Sequence, residues 1–193
     1  MQPRACLPSA RGRESAKKLF AYSTTALAFA SALATASPAR ADEMQVSGPE
    51  IITQVETHVI PAAGGSGQAF VVNKWVGTVS LPGLFDAMQE TVAEGGQLQI
   101  DGKRGQAEVR GSILWTNNDG TMTGSYKGKG TFAVDEKGQA KGSAEGAFEM
   151  TGGTGQFANA RGHGTWKGNF DGPTYIGQLK LTVTGFEKRA MTQ

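Results

Sequence analysis

Over most of its length the chain alternates apolar and polar residues with a period of two. Between Thr121 and Val134 the even positions read Met122, Gly124, Tyr126, Gly128, Gly130, Phe132 and Val134. The odd positions read Thr121, Thr123, Ser125, Lys127, Lys129, Thr131 and Ala133. Successive side chains of a strand point to opposite faces, so this segment has one polar face and one face of large apolar residues interleaved with Gly. The design recurs at Gln139–Met150, with Ala140, Gly142, Ala144, Gly146, Phe148 and Met150 on the apolar parity, and upstream with Ala107, Val109, Gly111, Ile113 and Trp115. It recurs again in Gly162, Gly164, Trp166, Gly168 and Phe170, and in Tyr175, Gly177, Leu179, Leu181, Val183 and Gly185. Asn117-Asn118-Asp119-Gly120, Asp135-Glu136-Lys137-Gly138 and Asp171-Gly172-Pro173 supply the turn residues between these segments.

Nearer the start, Ile51–Ile60 and Gln68–Leu81 are two more strands. The second carries Ala69, Val71, Asn73, Trp75, Gly77 and Val79 on one parity, whereas simple alternation puts Ile52, Gln54, Glu56 and His58 on the outer face of the first. A short strand near Gln97–Asp101 makes eight. One segment breaks the period: Leu84, Met88 and Val92 recur every four residues with acids opposite, and Gly95-Gly96 follows. That predicts a short amphipathic helix over Leu84–Glu94, packed on the barrel wall or covering one mouth. Eight antiparallel strands with tight turns make a sandwich or a barrel. The glycines favour an eight-stranded antiparallel closed β-barrel, because a small barrel needs small residues inside and kinks along its strands.

The first 41 residues differ in kind. Arg4, Arg11, Arg13, Lys17 and Lys18 precede an apolar run from Leu19 to Ala36, and Ala39-Arg40-Ala41 follows it. This is the layout of a secretory signal cleaved before Asp42, which leaves residues 42–193 as a single barrel domain in the periplasm or outside the cell. An uncleaved anchor and an organelle transit peptide are the alternatives. Cleavage removes Cys6, the one cysteine, and changes a net charge of +2 into 13 basic against 16 acidic groups, or −3. A cysteine-free product suits an oxidising compartment, and its even charge argues against nucleic acid as a partner. One Cys and two His offer no metal site, and nothing indicates a cofactor. An outer-membrane barrel would present its apolar face to lipid, where glycine makes a poor contact. The chain also ends at Met191-Thr192-Gln193 without an aromatic residue. The processed domain is therefore expected not to span a membrane.

Thr151-Gly152-Gly153-Thr154-Gly155-Gln156-Phe157-Ala158-Asn159-Ala160-Arg161-Gly162 resembles a signature of dirigent and allene oxide cyclase-like barrels. The likeness is sharp over this dozen residues, looser from Gly105 to Gly185, and greatest to secreted bacterial members. It implies an eight-stranded barrel with an apolar lumen, often oligomeric, in a family that handles small hydrophobic molecules. No catalytic residue of the plant cyclases can be matched here. The residues carry a reading of their own: glycines allow positive φ and close approach, so that Phe157 can tuck into the barrel end as a stopper. A phosphate loop is excluded, because the Gly-Lys-Ser/Thr ending is missing and no parallel β-α context follows.

All three Trp fall on the apolar parity with most of the other rings. Asn73, Trp75, Trp115, Tyr126, Phe132, Phe148, Trp166 and Tyr175 are the candidate ligand-binding residues. Rings separated by Gly leave gaps that either hold a ligand or are closed by neighbouring strands. The apolar parity of these segments carries no Asp, Glu, Lys, Arg or His, so no catalytic residue is assigned and proton transfer in the lumen is disfavoured. A bulge would flip parity and could bring in Glu108, Arg110 or Glu145. The expected function is binding of a small apolar ligand. The alternatives are a cyclase-like enzyme that steers a reactive substrate by shape, and a structural protein. A homo-oligomer is left open, although the outer faces read as mixed, without a large apolar patch.

Overall fold

The computed structural model describes residues 43–65 and 67–186. The expected signal segment, 1–41, lies outside them. Eight strands run in chain order: β1 (Met44–Pro61), β2 (Gln68–Leu81), β3 (Phe85–Asp101), β4 (Arg104–Asn117), β5 (Gly120–Val134), β6 (Ala140–Gly153), β7 (Arg161–Asp171) and β8 (Thr174–Thr184). Each is antiparallel to the next, and β8 returns to pair with β1 from Met44↔Val183 to Thr53↔Thr174, which closes the barrel. Closure leaves no strand edge to aggregate. The three predicted turns sit between the strands they were expected to join. In one of them Asp135 Oδ1 accepts from the amides of Lys137 and Gln139, both at 2.9 Å.

The predicted helix does not form. Leu84–Glu94 is the β2–β3 turn and the first half of β3, and the only helical element among the described residues is the 3-10 turn Gly155–Phe157. A spacing of four nearly aligns side chains on a helix, but four is also even, so the same residues share one face of a strand. The partner strand decides: Val79↔Met88, Gly77↔Glu90, Trp75↔Val92 and Asn73↔Glu94 pair in unbroken register. As a strand, the segment carries Glu90 and Glu94 on the same inward parity as Met88 and Val92.

The β1 parity also changes. Glu50, Ile52 and Gln54 line the interior, and the register then slips between Gln54 and Glu56. Beyond this bulge Thr57 and Val59 take the inner side, while Glu56 and His58 pair on the surface at 2.9 Å. Ile52 and Gln54 are therefore inside rather than outside. The outer wall is also less mixed than expected. Exposed Ile51 sits beside exposed Ile176 on β8, and exposed Ile60 beside exposed Phe70 on β2.

Side-chain size changes along the strands, and this taper positions the site. On β6 the inward residues grow from Ala140, Gly142, Ala144 and Gly146 to Phe148 and Met150; on β4 they grow from Ala107 to Trp115. The large residues of both reach the same end, because β4 and β6, two strands apart in an antiparallel barrel, run in the same direction. There Leu81, Met88, Trp115, Met122, Met150, Leu181 and Val183 form a dry plug, each no more than 2% exposed. Phe157 seals it. Its ring is fully buried, with centroids 6.3 Å from Phe85, and Phe85 lies 5.9 Å from Trp115, both edge-on. The loop that delivers Phe157 lies against the β4–β5 turn: the Gln156 amide donates to the Asp119 carbonyl at 3.1 Å, and Thr154 N to the Thr121 carbonyl at 2.9 Å. Gly155, at φ +60°, has no room for a side chain because a Cβ would strike the Asp119 carbonyl.

Candidate functional site

The other half of the barrel is hollow. A cavity of about 320 Å³ opens between the β1–β2, β3–β4, β5–β6 and β7–β8 turns and ends blindly on the plug. Its walls are mainly aliphatic and aromatic, from Val59, Leu98, Ile100, Ala140 and Phe170 near the mouth to Ile52, Val92, Ile113 and Leu179 at depth. This volume lies at the lower end of the range for small-molecule sites, roughly 300–1,000 Å³.

Six of the eight candidate residues line the cavity: Asn73, Trp75, Tyr126, Phe132, Trp166 and Tyr175. Trp115 and Phe148 belong to the plug instead, edge-on to each other at 5.8 Å, because they occupy the large-residue end of their strands. The gaps between rings are not open seats. Six of the inward glycines are covered by a ring from another inward position: Gly128 and Gly146 by Trp166, Gly168 and Gly177 by Tyr175, Gly105 by Phe132, and Gly164 by Phe148. The neighbouring strands close the gaps, and the hollow arises from the small residues of the open half.

The expectation of an interior without ionisable groups is wrong. Glu50, Glu90 and Glu94 line the cavity, although Glu108, Arg110 and Glu145, the residues a bulge would have rescued, stay outside. No Lys, Arg or His of the described residues lines it. Two signals could have found the glutamates. Met88, Glu90, Val92, Glu94, Leu98 and Ile100 share one parity with the predicted Gln97–Asp101 strand, and Met44, Val46, Gly48, Glu50 and Ile52 share another. Both runs are apolar enough to read as inward-facing strand once the helix is set aside.

Glu94 is held by three donors. Asn73 Nδ2 donates to its Oε1 at 2.6 Å and Trp75 Nε1 to the same oxygen at 2.9 Å, while the Tyr126 hydroxyl donates to Oε2. Asn73 is oriented in turn by Thr57, whose hydroxyl donates to Asn73 Oδ1 at 2.6 Å. All of Glu94's partners are donors, and between them they occupy both of its oxygens.

Glu50 and Glu90 form a separate pair on the cavity floor. Glu90 is 1% exposed and accepts from Trp115 Nε1 at 2.9 Å, which ties the floor to the plug. Glu50 lies against it, close enough for the two carboxyls to share a proton, yet the Oε2 atom of each lacks a partner in good hydrogen-bond geometry. Burial pushes Glu50 well above the usual carboxylate range, and the charge of Glu90 and the contact with it push the same way. Burial also pushes Glu90 up, to about 7, against the opposing hydrogen bonds from Trp115 and Glu50. The pair therefore holds a proton that exposed carboxylates would have lost. Tyr126 and Tyr175 are both raised, first by burial, then by Glu94 for Tyr126 and by Glu50 and Glu90 for Tyr175. Two more buried polar atoms of the lumen have no partner, Trp166 Nε1 and the Tyr175 hydroxyl. Among the described residues no group of three or more His, Cys, Asp or Glu could hold a metal ion. No described helix is long and apolar enough to cross a membrane.

No protein-family model matches the chain, and no curated protein does. Among solved structures it is similar to the pterocarpan synthase dirigent protein PsPTS1, at 10% sequence identity and a TM-score of 0.38, over 77% of this chain and 99% of that one. At that level the likeness transfers no residue and no activity, and the barrel assignment stands on the strand pairing of this chain.

Proposed function

We propose that the protein is an exported binding module that holds a small, mainly apolar molecule in the lumen of its barrel. The observation that carries this reading is the blind cavity, plugged at one end by close-packed rings and open at the other, with aliphatic and aromatic walls. A closed end prevents through-flow, and apolar walls gain from excluding water. Export is supported by the basic, apolar and small-residue order of positions 1–41 and by the lack of Cys in 42–193. Native mass spectrometry of protein isolated from its own cells is expected to find a co-purifying small molecule and an N-terminus at Asp42. The neutral apolar dye N-phenyl-1-naphthylamine is expected to brighten on uptake, and Ala144→Phe, which fills the open half, to abolish that signal. An empty barrel that ignores the dye would refute the reading.

Steering of a reactive apolar substrate by cavity shape is the second reading. It is favoured by the unpartnered Tyr175 hydroxyl, since catalysis by orientation needs few polar groups. Under it, Tyr175→Phe alters product distribution. Homo-oligomer contacts through the exposed apolar face of β1, β2 and β8 belong to the same proposal, and light scattering tests them.

A further inference from the structure

The cavity floor carries more unspent polar capacity than a purely apolar ligand would use. Three buried oxygens there receive a hydrogen bond from no group outside the carboxyl pair: Glu50 Oε2, Glu90 Oε2 and the Tyr175 hydroxyl. Burying polar atoms short of partners is costly, so a resident ligand that satisfied them would gain where a hydrocarbon would not. The charge surrounding them has one sign. Glu50 comes from β1, Glu90 and Glu94 from β3, and Tyr126 and Tyr175 reach in from β5 and β8, with no cationic side chain of the described residues along the wall. Glu94 already has donors on both oxygens, so the free acceptors belong to the Glu50–Glu90 pair and Tyr175.

The rings above the floor give the body of a ligand an apolar wall. Trp166 stands edge-on between Tyr126 and Tyr175, with centroids 5.9 and 6.1 Å away. An ammonium group brings three N–H donors, which the carboxyl oxygens and the Tyr175 hydroxyl oxygen can accept once the pair has given up its shared proton. A carboxylate ligand would meet three carboxyls and no counter-charge.

We propose that the lumen selects a small apolar molecule bearing a primary amine, with its ammonium group seated on Glu50, Glu90 and Tyr175 and its apolar body lying along Val92, Ile113 and Trp166. The inference rests on the lumen-binding reading and names the ligand class. A positive charge beside the carboxyl pair favours its ionised form, so the pair gives up its shared proton to solvent as the amine binds. Trp166 Nε1, a donor only, is left to meet an acceptor atom elsewhere on the ligand.

The test uses three probes with one skeleton: 4-phenylbutylamine, 4-phenylbutanol and 4-phenylbutyrate, each displacing N-phenyl-1-naphthylamine from the full protein. At pH 7 the amine is expected to displace the dye at least tenfold more effectively than the alcohol, with the carboxylate weakest. This preference shrinks at pH 5, where the pair is protonated, and grows at pH 8. Calorimetry in buffers of different ionisation enthalpy is expected to show proton release with the amine and none with the alcohol. The double variant Glu50→Gln, Glu90→Gln keeps alcohol binding and loses the preference for the amine. If that variant does not fold, the pH series and the proton count on the unaltered protein still decide. An alcohol that binds as well as the amine, or a carboxylate that binds better, overturns this inference and leaves lumen binding intact. If neither the dye nor any probe binds, both fall.

Discussion

The two ends of the barrel are made by the same strands under the same alternation, yet one is solid and the other hollow. At the solid end the inward positions hold Trp115, Met122, Phe148, Met150 and Leu181; at the hollow end the same strands and β7 offer Ala107, Gly130, Ala144, Gly168 and Gly177. Barrel diameter is set by strand number and shear, so it cannot shrink to follow smaller side chains. Where inward residues are small, the missing volume stays as space. Closed packing and an internal site thus come from a gradient of side-chain volume carried mainly by β4 and β6, while β7 runs the other way, from Gly162 and Gly164 to Trp166 and Phe170. The carboxyl pair sits where the gradient crosses over, supported by Trp115 below and facing the cavity above.

The sharpest way to break this contrast is to empty the solid end. Trp115→Ala is expected to cost about 3–5 kcal/mol, at the upper part of that range because it also strips Glu90 of its donor, whereas Phe132→Ala, half-buried near the mouth, costs less than half as much. Urea denaturation of both variants checks it, and equal losses would mean that the two ends are packed alike.

The pH dependence of stability probes the crossover. Glu90 titrates at about 7 in the folded protein instead of 4.5, so between those values the native state keeps a proton that the unfolded chain has released. Stability therefore falls as pH rises through this window, by about 1–3 kcal/mol, and levels off above it. Denaturation midpoints from pH 4.5 to 8 measure the slope, and Glu90→Gln is expected to flatten it. A barrel that gains stability across the same range would contradict the assignment.

Inward and outward glycines should differ as well. A Cβ on Gly146 would collide with the Lys127 carbonyl and Trp166, so Gly146→Ala costs about 1–3 kcal/mol, whereas Gly95→Ala, whose Cβ would lie 3.8 Å from its nearest neighbour, is tolerated. Thermal melts of the two distinguish a glycine that seats a ring from one that does not. The smallest effect belongs to the outer wall. Breaking the exposed Lys141–Asp171 pair, 3.1 Å apart, by Lys141→Ala is expected to change stability by less than about 0.5 kcal/mol and to leave dye uptake unaltered.

Alternation alone determined much of this protein. It placed Trp75, Tyr126, Phe132, Trp166 and Tyr175 inside, located three turns, and identified Phe157 as the stopper of one end, because period-two patterning and turn chemistry are local properties. Two features depended on neighbours instead. Leu84–Glu94 has a spacing that helix and strand both satisfy, and only hydrogen bonding to β2 chose the strand and turned Glu90 and Glu94 inward. The bulge after Gln54 shows only in the pairing of β1 with β2, and no residue of β1 announces it. The paired carboxyls of Glu50 and Glu90, 40 positions apart in the chain, became a site only when closure brought β1 and β3 around one lumen. The chemistry escaped the sequence for that reason: polarity and period are written residue by residue, whereas burial and mutual approach are properties of the closed barrel.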